Sequence, residues 1–321
     1  MADHSRKPSK LTIIGGAGGL GSAIAFHVGL SGLFDEIVLI DPARNVLATH
    51  EIDLRECFVG ETSTRVRSGL WADSSGSDVV LMCTSRTGAQ VESRNDYLHA
   101  NLALVLEAAE NLNRHAADSF LVVATVPLDV FVMLFADRLG WPRHRILGYT
   151  YNDSHRFRWI LGKALGLDPA RVRGVVLGEH GEGQVPVFSS VTVDGEPRVL
   201  ESSERDEAAS LLGLWYPCWQ QHNAGRTTTW SSAVGMCRTL QALRGGGPEP
   251  LMGSVVLEGE YGHSGVALGV PLKPAADGAS WAEVVELPLE QEERAAFDQA
   301  ARDVRALYLK AKGAKEADGD K

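Results

Sequence analysis

The sequence predicts an α/β protein: a doubly wound parallel sheet in its first half, followed by a second, mixed α/β domain. Three observations lead there. Short apolar runs of strand length alternate with helical spacings up to Thr125, the pattern of a parallel sheet covered on both faces. A glycine cluster follows the first run directly. Past Gly148 the pattern changes to alternating strands and longer helices.

The elements follow in order. Leu11 to Gly15 (LTIIG) reads as a short buried strand, Gly18 to Leu30 as a helix with small residues on one side, and Glu36 to Asp41 as a second strand. Asp78 to Cys83 and Phe120 to Thr125 are two more buried-strand candidates, with a helix over Asn95 to Leu112 between them. In the later half, helical spacing covers Ser154 to Leu165, Trp230 to Leu243 and Gln291 to Lys310. Alternation marks strands at Val172 to Leu177 and Val185 to Val193, and paired strands around a turn over Val255 to Leu268. The domain boundary is placed at residues 1–150 and 151–321.

Composition narrows the function. The chain has 321 residues, 44% hydrophobic and 22% charged, enough for two ordinary domains with a substantial core. A net charge of -10 argues against general binding of nucleic acid or an anionic membrane surface. An anionic substrate would then need local positive charge against the global field. Cys57, Cys83, Cys218 and Cys237 show no CxxC spacing, so neither a zinc site nor a disulfide framework is expected. The polar stretch Met1 to Lys10 is no signal peptide, and no apolar run approaches the ~20 residues of a membrane helix. A cytoplasmic location is expected, with no metal.

The segment Gly15-Gly16-Ala17-Gly18-Gly19-Leu20-Gly21 sits between strand and helix. It reads either as a plain tight strand–helix turn or, with a strand before, a helix after and Asp41 in place, as the phosphate-binding turn of a Rossmann fold: Gly15 for the sharp turn, Gly18 for close approach to a pyrophosphate, Gly21 for close helix–strand packing. The helix N-terminus presents unpaired N–H groups and the positive end of its dipole. Asp41 ends the next strand, where a carboxylate accepts hydrogen bonds from ribose hydroxyls and repels a 2′-phosphate. NAD is therefore the expected cofactor rather than NADP.

A second cluster carries proton chemistry. In Gly178-Glu179-His180-Gly181-Glu182-Gly183 a histidine is set between glycines after a strand, and histidine exchanges a proton near neutral pH. Upstream, Asp153-Ser154-His155-Arg156-Phe157-Arg158 opens a helix; its aspartate serves either as a plain N-cap or as the partner of His180. Taken singly, Arg94 and Arg156 read as solvated surface arginines. His27, His155, Arg158 and Glu182 are read as surface or supporting residues.

From Leu11 to about Leu309 the chain resembles the lactate/malate dehydrogenase family. GGAGGLG resembles its GAAGGIG loop, GEHGEG its GEHGDS stretch, and DSHRFR its D-[ST]-A-R-F-R helix start. ESRNDYLHAN resembles [TS]-R-x-x-L-x-x-x-N, and LEGEYGHSGVALGVP the C-terminal EGEYG…LGVP stretch. The resemblance implies an NAD-dependent enzyme interconverting a 2-oxo and a 2-hydroxy acid, assembled as a homodimer or homotetramer. It implies His180 as the acid–base residue, Asp153 as its partner, Arg156 as the ligand of the substrate carboxylate, and Arg94 as the group polarising the carbonyl. It also places Asn101, Thr125 and Trp230 beside the cofactor, Trp230 toward the nicotinamide end.

Two departures concern substrate. The family carries its side-chain discriminator six residues before the loop arginine, where this chain has Gly88, flanked at other spacings by Arg86 and Gln90. The family's T-N-P is Thr125-Val126-Pro127 here, and Val126 cannot make the asparagine's hydrogen bond. Together they imply a pocket that is roomier and less polar, suited to a 2-oxo acid with an unusual C3 substituent. The alternatives are a true malate dehydrogenase using Arg86, a non-catalytic NAD-binding protein, and an NAD- and metal-dependent glycosidase. That last enzyme needs a Cys/His metal pair, and no cysteine here sits in a matching motif.

Overall fold

The structure is a computed structural model, and it describes residues 9–86, 94–222, 227–246 and 250–318. Its first half is built on strands β1 (Lys10–Ile14), β2 (Glu36–Ile40), β3 (Arg65–Ser68), β4 (Val79–Met82), β5 (Phe120–Val123) and β6 (Ile146–Tyr149). They lie side by side in the order β3-β2-β1-β4-β5-β6, and every pairing among them is parallel. Parallel strands need covering on both faces, which is why β4 (VVLM) and β5 (FLVV) are apolar and buried at every position.

Helices α1 (Gly19–Leu30), α2 (Arg44–Cys57), α3 (Arg94–His115) and α4 (Leu128–Leu139) make the crossovers. Helix α4 is buried at every position from Leu128 to Phe135, so it is a core helix rather than an amphipathic surface one. It ends on Gly140 in the left-handed conformation, the usual glycine stop.

The sheet does not stop at β6. Strand β6 pairs antiparallel with a later strand, Gly253 opposite Tyr149 and Ser254 opposite Gly148. The second half comprises β7 (Val172–Gly178), β8 (Gln184–Val193), β9 (Glu196–Pro197), β10 (Leu251–Glu258), β11 (Ser264–Pro274) and β12 (Trp281–Val284). They extend the order as β6-β10-β11-β7-β8-β9, with β12 on β11. Among the described residues one sheet thus crosses both halves. Helices α5 (Tyr151–Ala164), α6 (Ser202–Gln221), α7 (Trp230–Leu243) and α8 (Gln291–Asp318) pack around the second half. A satellite core of Phe157, Ile160, Leu161, Val172, Val176, Val191, Ala208 and Leu212 joins α5 and α6 to β7 and β8. No described helix is long and apolar enough to cross a membrane.

Several elements differ from the sequence reading. Helix α5 begins at Tyr151 with Thr150 as its N-cap, so Asp153 lies inside the first turn rather than at the cap. Helix α6 has no counterpart in that reading, because Gly213 and Pro217 interrupt its pattern and its buried residues are only Ala208 and Leu212. Strands β3 (RVRS) and β6 (ILGY) also have no counterpart, since neither carries the unbroken run of large apolar side chains that marks β4 and β5.

Candidate active site

The carboxyl ends of the parallel strands line up the candidate residues. Along the edge in strand order stand Asp41 after β2, Gly15 after β1, Thr84 after β4, Thr125 and Val126 after β5, and Asp153 just after β6. Loops at this edge form the crevice where open α/β sheets bind ligands.

The glycine turn is shaped by close approach. Gly15 has φ +96, and a Cβ there would lie 2.9 Å from the Thr84 backbone nitrogen. At Gly21 a Cβ would lie 2.2 Å from the Gly15 carbonyl oxygen, so any side chain would push α1 off the turn. The N-cap of α1, Gly18, has no side-chain hydrogen bond to the helix start. The amides of the first turn are therefore left for an anion. Gly16, Gly19 and Leu20 complete the turn, and Asp41 Oδ2 accepts from the Ala17 N–H at 3.3 Å while Oδ1 accepts from the Ala43 N–H at 2.9 Å. Beyond β2 and β3 a cavity of about 230 Å³ is lined by Arg44, Ser68, Gly69, Leu70 and Asp73. Bare helix amides for a pyrophosphate and a carboxylate for a ribose fit a dinucleotide.

The second cluster gathers on β6–α5 and on the turn after β7. His180 Nδ1 donates to Asp153 Oδ2 at 2.6 Å, since a carboxylate can only accept. That bond leaves Nε2 as the free ring nitrogen. Asp153 is 4% exposed, and its other oxygen faces Arg156 Nη1 at 3.4 Å. A second buried carboxylate also bears on the histidine: Asp129, in the first turn of α4, accepts the His180 backbone N–H at 2.8 Å.

Burial depresses the His180 pKa, but the charge and hydrogen bond of Asp153 and the charge of Asp129 outweigh it, so the net shift is upward. For Arg156, burial lowers the pKa and Asp153 partly offsets that. The guanidinium lies over the indole of Trp215, with its central carbon 3.7 Å from the ring centroid.

Asn101 and Thr125 lie at this edge. Asn101 is 1% exposed, and both ends of its amide are used: Oδ1 accepts the Arg86 N–H at 2.9 Å and Nδ2 donates to the Val126 carbonyl at 3.0 Å. It therefore ties the segment after β4 to the segment after β5. Thr125 Oγ1 donates to the Thr84 carbonyl at 2.8 Å across the same gap. The Arg86 side chain is exposed. Gly88 and Gln90 lie outside the described residues; Arg94 opens α3, and of its side chain nothing is described. Trp230 opens α7 and is 72% exposed.

Residues 9–148 match the family profile of the lactate/malate dehydrogenase NAD binding domain, and residues 150–312 that of the lactate/malate dehydrogenase α/β C-terminal domain. The chain belongs to the lactate/malate dehydrogenase family. This dehydrogenase is 33% identical to the malate dehydrogenase of Halobacterium salinarum over 303 residues, covering 94% of this chain and 98% of that protein. It is 29% identical to the L-lactate dehydrogenase of Halalkalibacterium halodurans over 306 residues, covering 94% and 96%. Among solved structures, the lactate dehydrogenase of Cryptosporidium parvum in complex with lactic acid and NAD superposes with TM-score 0.88 at 26% identity, covering 96% of this chain and 99% of that one. The malate dehydrogenase of the same organism gives 0.86 at 26%, covering 96% and 100%.

Three features of the dehydrogenase's site escaped the sequence reading. Asp129 follows the Thr125-Val126-Pro127 stretch and looks like an ordinary acidic residue of a helix start. Trp215 lies on the unforeseen α6. The third is a buried hydrogen-bond chain. Tyr149 Oη donates to Asn152 Oδ1 at 2.7 Å, Asn152 Nδ2 donates to Ser232 Oγ at 2.7 Å, and Ser232 Oγ meets Thr228 Oγ1 at 2.8 Å. This chain fastens the start of α5 to the start of α7. Burial, and then the charge of Asp153, keeps the Tyr149 phenol protonated by raising its pKa well above its ordinary value.

Proposed function

We propose that this NAD-dependent dehydrogenase interconverts a 2-oxo and a 2-hydroxy acid with His180 as its acid–base group. The observation that carries this reading is the Asp153–His180 contact at 2.6 Å, with Arg156 on the same carboxylate. In reduction His180 Nε2 gives its proton to the carbonyl oxygen, and in oxidation it removes the hydroxyl proton. Asp153 holds the imidazole in orientation and favours its charged form. Arg156 offers the remaining edge of its fork to the substrate carboxylate, a planar bidentate match. Arg94, at the start of α3, polarises the carbonyl oxygen. Gly15 to Gly21 and Asp41 hold NAD, which supplies the hydride acceptor or donor when bound. Asn101 and Thr125 shape the floor of that crevice.

The substrate proposed is a 2-oxo acid with a larger or less polar C3 substituent than oxaloacetate. Val126 supports this, since it brings hydrocarbon where a hydrogen-bonding amide stands in the family pattern. The domains are proposed to divide at residue 150, in a homodimer or homotetramer of the cytoplasm.

NADH and NADPH oxidation across a panel of 2-oxo acids, from pyruvate and oxaloacetate to branched and aromatic ones, tests the reading. NADH-dependent turnover favouring a bulky acid supports it. Turnover of oxaloacetate alone, lost in Arg86→Gln, replaces the substrate proposal with a malate dehydrogenase. Silence with every acid, while NADH still binds, overturns the catalytic reading.

A further inference from the structure

The Arg156–Trp215 contact lies outside the satellite core. Trp215 sits on α6, whose buried residues are Leu212 and Ala208, about one and two turns earlier. Its ring is half-buried and ends against a guanidinium rather than against the satellite core. At 3.7 Å from carbon to ring centroid the cation stands over the ring in close contact. Trp219, one turn on, stacks with Trp215 at 5.6 Å and 16°, which limits tilting of the indole.

The geometry divides the functions of the guanidinium. A stacked guanidinium spends its face on the ring and keeps its N–H donors in the plane, pointing outward. One of those donors, Nη1, already faces Asp153. Without the indole, the arginine would keep one weak 3.4 Å contact to fix its plane and would sample other rotamers before each binding event. Ordering it beforehand removes that entropic cost from substrate binding.

From this geometry we infer that Trp215 is a positioning residue for the substrate carboxylate: its indole fixes the plane of Arg156 so that the fork is presented ready-made to a carboxylate-bearing 2-oxo acid. The inference rests on the role proposed for Arg156. Trp215 acts through Arg156 and takes no part in the proton transfer, so its loss weakens binding and spares the chemical step.

The test uses the full-length protein with Trp215→Phe and Trp215→Leu beside the parent. Steady-state kinetics is measured on the best 2-oxo acid of the panel, and calorimetric titration with oxalate is carried out in the presence of NADH. In Trp215→Leu, KM and the oxalate Kd rise on the order of tenfold, the size of a partly desolvated cation–π contact. The change in kcat stays within about twofold, and NADH affinity is unaltered. Trp215→Phe, which keeps an aromatic face, recovers most of the loss. Equal KM and oxalate Kd in parent and Trp215→Leu overturn the inference, as does Phe behaving like Leu. A parent that turns over no 2-oxo acid overturns the proposed function instead, and the oxalate titration still decides whether Trp215 orders Arg156 for a carboxylate.

Discussion

His180 Nδ1 lies 2.6 Å from Asp153 Oδ2, and this contact orients the imidazole and favours its charged form. Replacing Asp153 with Asn keeps the volume and removes the charge. The amide can also present its NH2 to Nδ1, which moves the ring proton to Nε2. In Asp153→Asn, kcat/KM for 2-oxo acid reduction is expected to fall on the order of a thousandfold. NADH affinity by fluorescence stays near that of the parent.

The raised pKa of His180 gives a pH dependence with a definite sign. With His180 in the proposed acid–base role, reduction needs the imidazolium, so kcat/KM for the 2-oxo acid is expected to hold at low pH and decline as pH rises through a value above the ordinary 6.5. Oxidation of the 2-hydroxy acid needs the neutral ring and rises through the same value. A pH–rate profile in both directions checks this, and a midpoint below 6.5 contradicts it. Stability follows the same linkage. A raised pKa means that the charged pair contributes fully below the unfolded value, and its contribution disappears as pH rises through the folded one.

Asp129 is expected to hold the histidine turn. An Asn there retains an oxygen for the His180 N–H but loses a charge, so Asp129→Asn lowers the pH midpoint of reduction while keeping most of the activity. Asp129→Ala removes the acceptor and costs about 2 kcal/mol of stability, read as a lower midpoint in urea unfolding.

Gly21→Ala places a methyl group 2.2 Å from the Gly15 carbonyl oxygen. Helix α1 must then move away from the turn. A loss of roughly 1–3 kcal/mol in stability is expected, with NADH binding weakened more than tenfold, because the amides that face the pyrophosphate move with the helix. Equilibrium unfolding and NADH fluorescence measure the two effects separately.

On the proposed reading the cofactor preference rests on the Asp41 carboxylate. Asp41→Ser is expected to narrow the NADH-over-NADPH ratio of kcat/KM by on the order of tenfold, by removing the charge that repels a 2′-phosphate. An unchanged ratio would assign the selection to the cavity wall at Arg44 and Asp73 instead.

How much of this was legible in the sequence depends on whether the requirement is local. Gly21 has to be glycine because of Gly15, six residues before it, so the turn can be read directly, although Gly15 also answers to the distant Thr84 backbone. His180 and Asp153 stand in short stretches whose neighbours reveal them, and the resemblance to a known family aligned the two. The position of Asp153 inside α5 was less plain, since Tyr151 and Asn152 are buried by tertiary contacts and not by helical periodicity. Asp129 and Trp215 acquire meaning only through the partners they meet, 51 residues away for His180 in the first case and on another helix in the second. Helix α6 was hidden by its own composition: it contains a glycine and a proline, and it buries too little to print a stripe.

The pairing of β6 with β10 has a practical consequence for dissecting the protein. The nucleotide-binding half cannot be cut free at residue 150 without stripping β6 of the neighbour that covers it, at Gly148 and Tyr149. The excised fragment would end in a fully apolar strand, Ile146 to Tyr149, with a row of open backbone donors and acceptors. Exposed edges of that kind recruit further copies in register. An isolated first half is therefore a seed for aggregation, and the second half acts as its built-in guard.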